Sequence, residues 1–197
     1  MKNSILVFVI GFLSFSTFSQ SKTSFGFRSG VNIANLSNTN LETKTGLYLG
    51  ALVNIKISEL YTLQPELGYS NQGADAKNTM DENVVIHYIS VSVANKFFVK
   101  DSPFHFIIAP GFDFDSDDSL IGLANRNEGN DVTFIDLNIG LGIGIDFKNG
   151  LGIEARYKRG LVDVFSGDWH SFDSQQYEDE NQFNTVFQLG MYYKFKF

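Results

Sequence analysis

The sequence predicts an all-β protein, an eight-stranded antiparallel up-and-down transmembrane β-barrel with a polar interior filled by side chains. Three observations support this fold. Segments of about ten residues alternate apolar and polar side chains, which is the period of a strand. The connections between the segments alternate between long and short, as in outer-membrane barrels. One parity is apolar and rich in aromatic residues, whereas the other carries charges and glycines.

The N-terminus has the pattern of a secretory signal peptide. Lys2 precedes an apolar run, and small residues stand before Gln20, so we expect cleavage after Ser19. We assign residues 1–19 to the signal peptide and residues 20–197 to one outer-membrane β-barrel domain. The apolar run is shorter than the roughly 20 residues of a membrane-spanning helix, which disfavours the alternative of an anchor. No second long apolar run follows it, so we expect membrane insertion to use strands.

Charge and composition argue against several classes of function. The formal net charge of −7 argues against nucleic acid as a partner. The chain has no cysteine, which excludes thiolate metal sites and cysteine nucleophiles. It also fits an exported protein that folds without disulfides.

The first strand is predicted at residues 24–34, where apolar residues alternate with small or polar ones. A polar, turn-rich stretch at residues 35–44 is predicted to be a loop. The second strand is predicted at residues 45–56. A short connection leads from it to the third strand, at residues 61–70.

A long polar loop at about residues 71–83 leads to the fourth strand, predicted at residues 84–98. A tight turn then leads to the fifth strand, at residues 104–114. Pro65 and Pro110 lie inside predicted strands and have no N–H to donate. We therefore expect a bulge or a locally lost hydrogen bond at each proline.

After another long loop, the sixth strand is predicted at residues 134–147, where Ile and Leu alternate with Gly, Asn and Asp. An Asn-Gly pair, typical of a hairpin, leads to the seventh strand at residues 151–162. A long acidic loop at about residues 163–182 precedes the eighth strand, at residues 183–197. We expect this strand to close the barrel against the first. We also expect its terminal Phe197 to resemble the signal by which assembly machinery recognises outer-membrane proteins.

If the apolar parity meets lipid, the other parity fills a narrow lumen, because eight strands leave room only for side chains. Both signs of charge occur on this parity. We therefore predict that these groups pair with one another and that they form a polar core in place of a pore. The charged or titratable residues predicted for the interior are Arg28, Glu66, Lys96, His105, Asp113, Asp136, Asp146, Glu154, Arg156, Lys158 and Lys194.

Arg159 and Asn95 are polar residues that fall on the lipid-facing parity. Arg159 is near the outer end of its strand, where a long cation can reach lipid phosphates. Asn95 is near the opposite, periplasmic end of its strand. Amphipathic rings favour the level of the lipid headgroups, and the expected interface anchors are Trp169, Tyr157, Tyr192 and Tyr193.

Asp113, Asp115 and Asp117 alternate like the start of a calcium-binding loop. The glycine and the distant glutamate that complete such a loop are missing, so we expect solvated charges. His87 and His105 are isolated, and we expect them to pack or hydrogen-bond within the barrel.

Gly142 and Gly144 match part of a dinucleotide-binding pattern. The strand around them has no following helix, which excludes that role.

The acidic run at residues 173–181, together with Asp163 and Asp168, is a second candidate for divalent cations, but such runs are more often simply solvated. His170 and Ser171, beside Asp168, are the only local cluster of hydrolase-type residues. Adjacent positions in a loop do not establish a triad, and no nucleophile elbow is present. We therefore predict no catalytic, cofactor-binding or metal-binding residues.

Five segments carry a resemblance to a known family: FGFRSGVNIANL, HYISVSVANKFF, IGLGIGIDF, EARYKRGLVDV and LGMYYKFKF. With them, the chain resembles the PorT-like outer-membrane β-barrel family of Gram-negative bacteria over essentially all of the mature sequence. The resemblance implies an eight-stranded barrel. It implies no particular activity, because the individual activities of members are mostly undefined, although one group of relatives is linked to protein export across the outer membrane.

We predict a small outer-membrane barrel with a structural or interaction role through its external loops and without catalysis. One alternative is a secretion-accessory barrel that works with periplasmic or membrane partners. Another is a soluble lipocalin-like binder of a small ligand. The expected partners are outer-membrane lipid and, during biogenesis, the assembly machinery. Nucleic acid is not an expected partner, and no cofactor is expected.

Overall fold

The computed structural model describes residues 22–78, 83–116, 132–165 and 181–195, which form a closed eight-stranded barrel. The strands are β1 (Lys22–Leu36), β2 (Glu42–Lys56), β3 (Tyr61–Asp75), β4 (Val84–Phe98), β5 (Phe104–Asp115), β6 (Ile135–Asp146), β7 (Leu151–Gly160) and β8 (Asn184–Lys194). Each strand pairs antiparallel with its neighbours in sequence, and β8 pairs with β1 to close the barrel. The predicted fold is confirmed.

In the part of the chain that the structure describes, no helix is long and apolar enough to span a membrane.

The barrel has two unlike ends. The short-turn end carries the three connections at residues 57–60, 99–103 and 147–150. The long-loop end carries the connections at residues 37–41, 76–83, 116–134 and 161–183. The predicted Asn-Gly hairpin turn is confirmed, since Gly150 has a φ of 95° and its N–H donates to the carbonyl of Phe147 at 3.1 Å.

Three strands extend two or more residues further toward the long-loop end than predicted. β1 continues to Leu36, β2 begins at Glu42 and β3 continues to Asp75. The prediction of a long loop at residues 35–44 is therefore wrong, because only residues 37–41 connect β1 to β2. Polar residues inside this barrel are hydrogen-bonded to one another, so a polar stretch does not end a strand here.

A bulge interrupts the regular pairing of the barrel wall near this end. The register between β2 and β3 shifts between Thr43 and Tyr48. On the facing strand Gly73 has a φ of 117°, a conformation that other L-residues rarely adopt. A Cβ at this glycine would lie only 2.0 Å from the carbonyl oxygen of Val84.

The two prolines interrupt the β2–β3 and β4–β5 ladders without shifting their register, so the predicted local loss of a hydrogen bond is confirmed. Pro110 lies opposite Val93 and offers no N–H to the Val93 carbonyl. The side-chain amide of Asn95 donates to this carbonyl and to that of Ile108, both at 3.1 Å. Asn95 therefore replaces the missing backbone donor, which explains a polar residue on the lipid-facing parity.

The two faces of the wall follow the predicted parities. The outward face is apolar, and side chains such as Phe27 and Leu47 are 57% and 66% exposed. The inward face carries the buried polar and charged residues. An apolar outside and a polar inside are the reverse of a soluble protein, and they suit a barrel surrounded by lipid.

Candidate functional site: the filled lumen

The residues predicted for the interior do lie on the inward face. They come from seven strands, because a closed barrel directs every second side chain of each strand to its axis. Most have less than a tenth of their surface exposed, and the side chains of Asp146, Lys158 and Lys194 are also largely buried.

Four of these residues form a closed ring of ion pairs across the lumen, which we call the charge square: Arg28 of β1, Glu66 of β3, and Glu154 and Arg156 of β7. Arg28 Nη1 donates to Glu66 Oε2 at 2.7 Å, and its Nη2 donates to Glu154 Oε1 at 2.8 Å. Arg156 donates to both oxygens of Glu66, at 2.8 and 2.7 Å, and to Glu154 Oε2 at 2.9 Å.

The charge square is electrically balanced, with two guanidinium groups and two carboxylates. Burying one unpaired charge is very costly, whereas a hydrogen-bonded pair recovers much of that cost. Arg156 binds Glu66 through two parallel N–H···O bonds, the strongest geometry for such a pair. The square therefore joins opposite walls of the barrel and obstructs the lumen at one level.

A buried lysine lies beside the square. Lys96 Nζ is 3.9 Å from Glu154 Oε2 and 3.9 Å from the centre of the Tyr192 ring. Its ammonium group makes no hydrogen bond with the described residues. The ring face of Tyr192 and the nearby carboxylate therefore provide its electrostatic partners.

A second polar network lies between the charge square and the long-loop end, around Asp113. Lys158 Nζ donates to Asp113 Oδ2 at 2.5 Å, and Ser90 Oγ donates to Oδ1 at 2.6 Å. Gln72 Nε2 donates to Oδ2 at 3.3 Å, and Asn184 Nδ2 donates to Gln72 Oε1 at 2.5 Å. This network links β3, β4, β5, β7 and β8.

A third network lies at the short-turn end. Asp146 accepts hydrogen bonds from Tyr192 and from Lys194. The Tyr192 ring lies directly against Gly152, where a Cβ would be 2.1 Å from a ring atom. Glycine at this position therefore makes room for the ring that fills the mouth.

A cavity lies between the charge square and the network around Asp113. It has a volume of about 40 Å³ and is lined by residues of the charge square and by Asp113 and Lys158. This volume holds on the order of three water molecules. The lumen of the described barrel is therefore a filled polar core, as predicted.

The long-loop end adds an apolar cap that was not predicted. It consists of Leu36, Ala74, Val84, Ile86, Tyr88, Val132, Val164 and Phe165. Val132, Val164 and Phe165 belong to the connections between strands, yet each is at most 9% exposed. Their segments are held by backbone bonds from Thr133 N to Val164 O and from Val164 N to Gln182 O, both 2.8 Å. The sequence signal that could have revealed this cap is the presence of apolar residues within otherwise polar loops.

Two predicted placements are wrong. His87 lies on the outward face, where it stacks on Tyr69 and hydrogen-bonds to its hydroxyl and to Asn71. Tyr192 was expected at the membrane interface but is 1% exposed inside the barrel. Both predictions ignored the parity of the strand. His87 has the odd parity of the outward residues of β4. Tyr192 has the even parity of the inward residues of β8.

The remaining candidates fall into four groups. His105 packs inside the barrel against Phe98, with ring centres 4.7 Å apart. Tyr157 and Tyr193 are exposed on the outward face. Asp113 and Asp115 belong to β5, point inward and are 1% and 4% exposed, so the expectation of solvated loop charges is wrong for both. The candidates Asp117, Asp168, Trp169, His170 and Ser171, the run at residues 173–180, and Phe197 lie outside the described residues.

Among the described residues, no group of three His, Asp or Glu side chains is arranged to hold a metal ion.

An all-β closed barrel with an apolar exterior and an ion-paired lumen defines a small membrane β-barrel protein. A family profile described as outer membrane protein beta-barrel domain matches residues 18–166. The chain therefore belongs to this family of outer-membrane barrels. A search of the curated proteins gives no match.

Solved structures agree on the fold. Neisserial surface protein A is similar with a TM-score of 0.54 at 14% identity, covering 88% of this chain and 99% of that one. The outer membrane protein Ail of Yersinia pestis, in a phospholipid bilayer nanodisc, has a TM-score of 0.52 at 12% identity, covering 88% of this chain and all of that one. At such identities the similarity shows the barrel fold alone.

Proposed function

We propose that this outer-membrane barrel is a non-catalytic structural or interaction module whose contact surface is its long-loop end. The filled lumen is the observation that supports this proposal. The charge square and the apolar cap occupy the space that a pore or an internal ligand would need. The surface that remains for specific contacts is the one formed by the connections.

The bases of these connections are fixed to one another. Ser37 N donates to Phe183 O at 3.0 Å, and Asn38 Nδ2 donates to Asn181 O at 2.9 Å. Thr133 Oγ1 donates to Asp163 O at 2.7 Å. A rigid rim of this kind suits a contact surface, because binding then orders fewer groups.

Photocrosslinking in intact cells tests this proposal. A photoreactive amino acid at the exposed Lys77, in the connection after β3, is expected to capture a specific partner. The matched position is Lys100, which is exposed at the short-turn end. Capture from Lys100 alone would contradict the proposal.

The same experiment tests the secretion-accessory alternative, which the short-turn end favours. A cavity of about 540 Å³ there is lined by residues of all three short turns. Leu60, Val99 and Phe147 are 48%, 45% and 43% exposed beside the cations Lys100 and Lys148. Such a surface suits a partner in the periplasm. The soluble lipocalin-like alternative does not fit, because the apolar face lies outside and the lumen is charged.

We also propose that the chain is PorT-like within its family, on the strength of the five segments quoted above. The signal pattern supports export from the cytoplasm of a Gram-negative cell with residues 1–19 removed, leaving residues 20–197 as the barrel domain. Assembly machinery of the outer membrane is the proposed partner during biogenesis. Mass spectrometry of the mature protein is expected to give Gln20 as its first residue, and retention of Lys2 would contradict the assignment.

The absence of catalysis is testable with the purified barrel. We expect no hydrolysis or acyl transfer on outer-membrane lipids. Lipid hydrolysis that is lost in His170→Ala would overturn this proposal.

A further inference from the structure

Three groups of polar side chains on the outward face need an explanation, because this face meets lipid. In the first, Tyr69, Asn71 and His87 hydrogen-bond to one another. In the second, Asn95 binds the Tyr61 hydroxyl and two backbone carbonyls. In both groups, the polar side chains have hydrogen-bond partners within the barrel.

The third group is a row across three neighbouring strands, which we call the polar row. Arg159 of β7 pairs with Thr185 of β8, and Thr185 pairs with Asn35 of β1. The three side chains therefore lie at one level on the outward face. Directly opposite residues on neighbouring strands have Cβ atoms about 4.5–5.5 Å apart, so one small ligand can contact all three.

The donors of the polar row have no acceptor within the described barrel. No described carboxylate lies within 4.0 Å of the Arg159 guanidinium, whereas Arg28, Arg156, Lys158 and Lys194 inside the lumen all have carboxylate partners. The Arg159 guanidinium carbon instead lies 5.4 Å from the centre of the Phe183 ring. Among the described residues, the side chains of Thr185 and Asn35 make no hydrogen bond.

The position of the row relative to the apolar belt suggests the kind of ligand. One level nearer the middle of the barrel, the outward residues are Tyr157, Phe187 and Ile33, which are 45%, 41% and 39% exposed. Arg159 is the only charged residue on the outward parity of β5 to β8, and it occupies the last outward position of β7. A cation is costly at the centre of a bilayer but not at the headgroup level, where phosphates provide acceptors.

We propose that the polar row binds the phosphate of a lipid headgroup in the leaflet at the long-loop end, with preference for a phosphate monoester. The guanidinium fork matches two phosphate oxygens. The hydroxyl of Thr185 and the amide of Asn35 donate to the remaining oxygens. A monoester presents three unobstructed acceptor oxygens, whereas a diester headgroup such as phosphatidylcholine places a further group over one of them. The lipid chains then lie along the apolar belt, on the side of the polar row that is nearer the middle of the barrel.

Native mass spectrometry with the purified barrel in neutral detergent tests this site, with phosphatidic acid as the probe. The wild-type protein is expected to retain phosphatidic acid more tightly than phosphatidylcholine. Arg159→Gln is expected to weaken phosphatidic acid binding about tenfold, the scale of one lost charge-assisted contact. Lys77→Gln is the matched control, since it removes one exposed cation at the same end without touching the row, and its affinity is expected to stay unchanged.

Three outcomes would overturn the proposal: unchanged affinity in Arg159→Gln, an equal loss in Lys77→Gln, or displacement of the lipid by inorganic phosphate at equal concentration. Retention of the folded, heat-modifiable form on a denaturing gel checks each variant. If Arg159→Gln fails to fold, Arg159→Lys replaces it, and its loss of the guanidinium fork is expected to weaken binding severalfold. The result does not depend on whether the loops bind a protein partner, because lipid binding at the polar row requires only the folded barrel.

Discussion

At the scale of single residues, the charge square shows how this barrel tolerates arginine in its interior. Each guanidinium group bridges two carboxylates, and each carboxylate accepts from both arginines. Gln64 and Ser92 add hydrogen bonds to Glu66, at 2.7 and 3.2 Å. The removal of one member leaves its partners buried and underpaired, so each member depends on the others.

Arg156→Ala is expected to lower the free energy of unfolding by about 3–5 kcal/mol, because Glu66 and Glu154 each lose one of their two arginine partners. Arg156→Lys keeps the charge but loses the two-pronged geometry, so an intermediate loss is expected. Urea unfolding in lipid vesicles measures both. Lys100→Ala, at an exposed position, serves as the control, and equal midpoints for Arg156→Ala and the wild type would contradict the prediction.

Asn95→Leu makes the outward face more apolar, yet we expect it to cost about 1–2 kcal/mol, since the Val93 carbonyl loses its replacement donor. Pro110→Ala restores a backbone N–H at that carbonyl. The cost of Asn95→Leu is therefore expected to shrink in the Pro110→Ala background. A double-mutant cycle on the free energy of unfolding measures this coupling. The same cost in both backgrounds would show that Asn95 does not compensate for the proline.

At the scale of strands, β3 carries the features that were hardest to predict. Its last third, Asn71 to Asp75, is polar and contains Gly73, so it has the composition of a loop. In the barrel, Gln72 is fully buried and bonds to Ser70 and Asp113. Its strand geometry depends on partners far away in sequence, which local composition does not reveal.

Gly73→Ala is expected to destabilise the barrel by about 1–3 kcal/mol, because Gly73 has a positive φ and the added Cβ meets the Val84 carbonyl. Gly140→Ala is the matched control within β6. A Cβ there would meet only Ala109 atoms, at 3.4 Å and beyond, so a change of less than about 1 kcal/mol is expected. Thermal unfolding followed by gel mobility compares the two variants. Equal losses would argue against a special role for the bulge.

At the scale of the whole molecule, two obstructions lie in series along the lumen. The charge square blocks it by ion pairs, and the cap blocks the long-loop end by apolar contacts. Either one alone closes a barrel of eight strands, because side chains already fill its cross-section.

Planar-bilayer recordings of the purified barrel are therefore expected to show no steady conductance. Phe165→Ser weakens only the cap. The barrel of this variant is also expected to remain closed, because the charge square still obstructs the lumen. Steady conductance of the wild-type protein would contradict this account of the lumen.

How much of this architecture can be predicted from sequence depends on how far apart along the chain the interacting residues are. Period-two alternation is local, so it predicted the strands and the inward position of residues such as Arg28 and Lys96. The pairing within the charge square was not predictable, because Arg28 and Glu154 are 126 positions apart. The cap was missed for the same reason, since Val164 and Phe165 gain partners only when β3 and β4 are adjacent.

The hydrogen bonds between the bases of the long connections determine where new sequence can be inserted into this protein. Residues 132–134, 163–165 and 181–183 are tied together by hydrogen bonds before the chain leaves the barrel. Sequence inserted between residues 116 and 132, or between residues 165 and 181, therefore begins and ends at fixed points. The barrel is in this respect a display scaffold, in which foreign sequence placed in the long connections is expected to be exchangeable without altering the barrel wall.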